Sequence, residues 1–170
     1  MGPATQPEPV RGSAAFLAGL QAGMVATFWM LIWLGISSMW IRRSFWSPVN
    51  IMASVLHGGA IQPGFGSATP SGIALYLVLY SLLGAAFAML VRQRLTGLGT
   101  FLVGILFSLV WYWVWFRTLA PRSMPLVWLL HTEKSTEFGH VIYGALLARF
   151  GDYLPSRTPQ EAVVVAEGAD

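Results

Sequence analysis

Five side chains able to carry a proton, a charge or a metal ion fall together between positions 131 and 140: His131, Glu133, Lys134, Glu137 and His140. On a continuous helix Glu133, Glu137 and His140 stand at i, i+4 and i+7, within roughly 60° of one another. The Glu-x-x-His spacing of Glu137 and His140 sets a carboxylate and an imidazole one turn apart, as in di-iron carboxylate bundles. Those centres need a second copy of the motif and glutamates from two further helices. The other apolar runs of this chain hold no internal carboxylate, which argues against a dinuclear centre. A single divalent metal ion drawn from Glu137, His140, Glu133, His131 and His57 is compatible with the ligand types. So is haem held between two of these histidines, or a proton relay. The competing reading is structural: His140 and Glu137 hydrogen-bond neighbouring helices through Tyr76, Tyr80 or Ser81. Gly144 and Ala148 continue the same face, and small residues face neighbouring helices in membranes, so Glu137 and His140 are expected to point inward.

The composition dictates what positions these residues. The chain has 170 residues, 55% hydrophobic and 10% charged, with mean hydropathy +0.62. Soluble domains carry about 25% charged residues, so this chain is expected in a bilayer. Its formal net charge of +3 is scattered at the ends of apolar runs, unlike the clustered basic face of a nucleic-acid binder. There is no cysteine, which removes thiolate metal sites, iron–sulfur clusters and thiol nucleophiles. No Walker loop, GxSxG, HExxH or Cys-x-x-Cys is present, so no catalytic residue is assigned.

Four apolar spans are predicted, at about 14–40, 73–91, 98–116 and 135–150, forming an all-α, integral membrane four-helix bundle over residues 13–153. The first run is far longer than the 7–15 residues of a signal-peptide core and is expected to remain as a span. Residues 1–12 and 154–170 read as disordered polar tails. The spans carry small residues suited to close helix approach, Gly19, Gly23, Gly84, Gly104 and Gly144. Tyr76, Tyr80, Gly84 and Ala88 form an i, i+4 stripe, as do Thr100, Gly104 and Ser108. Trp40, Trp46, Trp111, Trp113, Trp115 and Trp128 sit near span ends as interfacial anchors.

Two short apolar segments, each opened by a proline, follow spans 1 and 3 and are predicted to lie in the interface: VNIMASVLH after Pro48 and LVWLL after Pro125. A single helix through the polar stretch would put Glu133 and Lys134 inside hydrocarbon at about 2.5–3.5 kcal/mol each near the centre. A break between His131 and Ser135 avoids that cost, with Thr132 or Ser135 capping span 4. The proline segments, and LLGAAFAMLVR set against IYGALLARF, make the chain read as two hairpins in tandem. Arg11, Arg92, Arg94, Arg149 and Arg157 lie on the side of the termini, against Arg42, Arg43, Arg117 and Arg122 on the other, a small bias towards cytoplasmic termini.

The segments FWSPVNIMASVLHGG and STEFGHVIYGALLAR resemble small uncharacterised bacterial four-span inner-membrane proteins, and the opening of span 4 is similar to that of the YagU-like inner-membrane family. The resemblance implies a bacterial cytoplasmic-membrane location and four helices, brings no activity or ligand, and carries over Glu137 and His140 as a polar pair. The function expected is non-catalytic, an accessory or scaffolding subunit that meets lipid and other membrane subunits or its own copies. The alternative is a small transport or redox-linked protein using the Glu/His cluster for a metal ion, haem or protons. A lipid-binding or membrane-shaping role is the third reading.

Overall fold

The structure, a computed structural model, describes residues 12–58, 61, 63–91 and 97–154. The polar tails and four of the arginines in the charge balance (Arg11, Arg92, Arg94 and Arg157) therefore lie outside the described residues, Gly12 and Leu154 apart. The described residues are mostly helical, without a strand. Three long stretches set the frame: α1 (Gly12–Trp40), α3 (Thr69–Val91) and α4 (Gly97–Val114). Helix α4 runs on through a π-helical turn (Trp115–Leu119) into α5 (Ala120–Ser123). Each stretch is long and apolar enough to cross a membrane, which makes this a membrane protein. The short helices α2 (Ser47–Ala53) and α6 (Pro125–Leu130) cap one end of the bundle.

Helix α7 (Glu133–Leu147), which tightens into a 3-10 segment (Ala148–Tyr153), occupies the place of the fourth span. It has 15 α-helical residues and carries Glu133, Lys134 and Glu137, so by length and hydropathy it is not a candidate span like the other three.

Local chemistry accounts for the ends. Helix α1 stops where Arg42 takes a left-handed conformation, φ 58°. Arg43 N–H then bonds Ser38 O at 3.0 Å and Arg42 N–H bonds Met39 O at 3.0 Å, the paired bonds of a Schellman motif. Pro48 and Pro125 supply the fixed φ that starts α2 and α6. Trp46 holds the N-cap position of α2, so Ser47 is its first helical residue and not its cap. The chain breaks at His131, extended at ψ 148°, and Thr132 is the N-cap of α7, without a side-chain cap hydrogen bond.

Packing is decided by glycine. A Cβ on Gly19 would lie 2.6 Å from Gly84 O, and one on Gly23 2.7 Å from Tyr80 O, so α1 and α3 touch backbone to backbone. In the second hairpin a Cβ on Gly104 would lie 2.5 Å from Gly144 O, and one on Gly144 2.5 Å from Gly104 O. Antiparallel α1/α3 and α4/α7 thus cross by the same reciprocal glycine contact, and the tandem-hairpin reading acquires a geometry: Gly84 and Gly144 play equivalent parts.

The symmetry is incomplete. Helix α1 packs extensively on α7, whereas the equivalent pair, α4 and α3, barely meets. The reason is bulk. Where Met30 and Leu34 of α1 close on Gly139 of α7, α4 brings Phe107, Trp111 and Trp115, each one turn beyond the last. Phe107 meets Phe87 of α3 with ring centroids 5.3 Å apart, and the indoles of Trp111 and Trp115 stack at 5.7 Å. Phe107 and Trp111 thus reach α3 across the gap between the two backbones.

Candidate functional site

A group of buried polar side chains lies where α3 and α7 reach each other across the bundle. The repeat makes Tyr80 and His140 equivalent, each four residues before its hairpin's crossing glycine, and they bond to each other. Tyr80 Oη lies 2.8 Å from His140 Nε2, and His140 Nδ1 lies 2.8 Å from Thr136 O. A carbonyl only accepts, so Nδ1 carries the proton; Nε2 of the neutral ring then accepts from the tyrosine hydroxyl. The arrangement defines one tautomer. Tyr143 donates to Tyr80 O at 2.6 Å, Tyr76 stacks on Tyr80 at 5.8 Å, and Tyr112 flanks the imidazole at 5.1 Å. His140 is 1% exposed. Both of its nitrogens are occupied by protein atoms.

Two buried polar atoms on α4 have no hydrogen-bond partner among the described residues, Ser108 Oγ and Trp111 Nε1. Trp111 comes close to the Tyr80 hydroxyl but falls short of hydrogen-bond geometry.

The other candidate residues are dispersed. Glu137 is exposed, contrary to the inward placement read from its spacing to His140. The buried stripe of α7 is Thr136, Gly139, His140, Tyr143, Gly144 and Leu147. Glu137 is one residue-step, about 100°, round from Thr136 and lies past the edge of that stripe. A residue 60° from a buried one can fall on either side of such an edge. Glu133 and Lys134 are exposed, and Glu133 pairs with Arg117 at 3.4 Å. His131 has turned through the chain break to stack on Phe116, centroids 4.2 Å apart, with Nδ1 against Trp128 O. Phe116 therefore lies between His131 and His140, whose ring it meets edge-on at 6.4 Å. His57 is at the far side of the cap, 3.3 Å from Ser71 Oγ. Among the described residues no three histidine or carboxylate side chains converge as a metal site would require.

Above the Tyr–His pair, α2 and α6 close a polar vestibule of about 30 Å³, room for about one water. Ser37, Ser38, Arg43, Tyr76, Ser135 and Thr136 contribute to its wall. No known family, curated protein or solved structure matches the chain.

Several residues that hold the site were not singled out by spacing. Asn50, fully buried, gives Nδ2 to Gly64 O at 2.7 Å and takes the Thr69 hydroxyl on Oδ1 at 2.8 Å, which pins α2 to the start of α3. One amide within an apolar segment was the available signal. Trp33 Nε1 bonds Ser135 O at 2.9 Å, tying α1 to the first turn of α7. Arg43 Nη1 bonds Leu130 O at 2.7 Å and so satisfies the C-terminus of α6, where positive charge is favoured.

Proposed function

We propose that this chain is a non-catalytic four-span membrane protein that works as an accessory or scaffolding subunit of a larger bacterial membrane assembly, with its termini cytoplasmic. The observation that carries the reading is the closure of its buried imidazole. His140 spends Nε2 on Tyr80 and Nδ1 on Thr136, and the carboxylates that would complete a metal or proton site stand on the exterior. The helix surfaces are then left to do the work. About half as much of α4 is buried as of α1 or α3, which leaves it a broad apolar face set with Leu102, Leu106, Val110 and Trp113.

The fourth crossing is supported by length and neighbours. Fifteen α-helical residues and six 3-10 residues reach roughly 34 Å, against about 30 Å of hydrocarbon. Helix α7 also packs lengthwise between α1 and α4, both long and apolar enough to span. The charges of this stretch fall at its two ends, Glu133, Lys134 and Glu137 at the capped end and Arg149 and Asp152 at the other, where an interface tolerates them.

Gentle-detergent extraction from native membranes, native mass spectrometry and elemental analysis of the same fraction test the role. Recovery in a defined larger complex, with no stoichiometric metal traceable to this chain, is the expected result. A free monomer or dimer carrying one metal ion or haem, lost on His140→Ala, would overturn it in favour of the transport or redox reading.

A further inference from the structure

A cavity of about 280 Å³ opens at the capped end between α4 and the α6–α7 corner. Tyr112, Phe116, Arg117, Trp128, His131 and Glu133 line it, with Leu129 at its edge. We infer that this cavity binds the zwitterionic headgroup of a phospholipid bearing a primary amine, its phosphate on Arg117 and its ammonium on Glu133 within the aromatic wall.

The charges are of the right kind and are underused. Arg117 Nη2 and Glu133 Oε1 stand 3.4 Å apart, beyond the usual hydrogen-bond range, with both side chains more than half exposed. Such a pair contributes about 0–1 kcal/mol. A phosphate and an ammonium entering between them replace one long contact by two charge-assisted hydrogen bonds. The guanidinium is already oriented, because it lies over the Trp113 ring at 4.8 Å. Tyr112, Phe116 and Trp128 supply ring faces that attract a cation. Phe116 is held by the His131 ring stacked on it.

Position and backbone agree with a headgroup. The cavity lies beside the π-helical turn Trp115–Leu119, which carries Phe116 and Arg117, and π turns recur at functional sites. It sits at the end of a stretch able to span a membrane, among Trp113, Trp115 and Trp128, the level at which indoles meet headgroups. Exposed Leu129 at the cavity gives an acyl chain an apolar surface to follow. Its volume is just under the 300–1,000 Å³ of whole small-molecule sites, enough for a headgroup and not for a complete lipid.

Other lipids fit less well. A purely anionic headgroup would leave the Glu133 carboxylate facing a second negative charge, and a quaternary amine offers that carboxylate no N–H. A metal ion would find a single carboxylate and a histidine whose Nδ1 is already directed at Trp128 O.

The inference rests on the membrane placement but not on the accessory role, so it can fail while that reading stands. The test uses the full chain in nanodiscs of equimolar phosphatidylethanolamine, phosphatidylglycerol and phosphatidylcholine with matched acyl chains, released into a native mass spectrometer. One phosphatidylethanolamine per chain, retained about tenfold over the other two, is expected, the size of one charge-assisted hydrogen bond. Arg117→Gln and Glu133→Gln, both on exposed side chains, should each abolish the preference while leaving the thermal midpoint in place. Soluble glycerophosphoethanolamine should displace the lipid only at far higher concentration. Unbiased retention, a phosphatidylglycerol preference that Glu133→Gln strengthens, or a phosphatidylethanolamine preference that survives both substitutions would overturn the site. Displacement by the soluble compound at lipid-like concentration would overturn the lipid as its source.

Discussion

Tyr80 and His140 hydrogen-bond across the junction of the two hairpins, and each leaves the other stranded if it is removed alone. Tyr80→Phe strips Nε2 of its donor at a buried contact. An unsatisfied buried polar group costs about 1–3 kcal/mol. His140→Leu leaves the tyrosine hydroxyl in the same state, whereas Tyr80→Phe with His140→Leu removes both. The double variant is therefore expected to lose less stability than the sum of the singles, by about 1 kcal/mol or more, in thermal or SDS-induced unfolding in micelles. Strict additivity would mean that the 2.8 Å contact contributes nothing to the fold. The sequence offers Tyr76, Tyr80 and Ser81 as partners for His140, and the fold selects Tyr80. Glu137 was misplaced because periodicity fixes angles between residues and not the width of the buried sector.

Glycine sets how closely the helices of each hairpin approach. Gly144→Leu would drive a side chain into Gly104 O, which a Cβ alone would meet at 2.5 Å. The helices must part, and overpacking of this kind costs about 1–3 kcal/mol or more. Gly151→Ala, at a glycine with no atom within 4 Å of its would-be Cβ, should be nearly neutral in the same assay. Equal effects of the two would count against the α4/α7 crossing. At the cap, Arg43→Gln should lower stability by no more than about 1 kcal/mol, since the arginine is exposed, yet speed amide exchange at the end of α6, whose Leu130 carbonyl it holds. Unchanged exchange there would remove the arginine from the account of how the two capping segments are joined.

Topology is tested for the molecule as a whole. The chain has no cysteine, so single cysteines can be introduced without background labelling. Under the proposed four-span arrangement, Ser13→Cys and Asp152→Cys should react with an impermeant maleimide from one side of the membrane, and Pro63→Cys and Ser123→Cys from the other. Labelling of positions 123 and 152 from the same side would show that α7 does not cross and would leave three spans. The incomplete two-fold relation belongs to this scale too. Phe107 and Trp111 stand between α4 and α3, so the hairpins share a crossing geometry without sharing a packed interface. Trp111→Ala is expected to destabilise by about 3–5 kcal/mol if its ring is the spacer described, as large aromatic truncations do. A loss under 1 kcal/mol would assign the separation to something else.

Hydropathy, glycine spacing and the proline starts are local properties of the chain, and they determined the helical class, the long apolar stretches, the two short capping helices and the break ahead of Glu133. Even the repeat could be read, since Gly84 and Gly144 sit in similar words. Tertiary structure alone decided which side chains meet. It turned Glu137 outward and His131 onto Phe116, joined Tyr80 to His140, and brought Arg117 to Glu133 at the mouth of a cavity. It likewise joined Asn50 to Thr69, from different helices. The reason is physical: a helix period orders residues around one axis, but the direction that axis turns towards its neighbours depends on glycine contacts and aromatic bulk contributed by other parts of the chain.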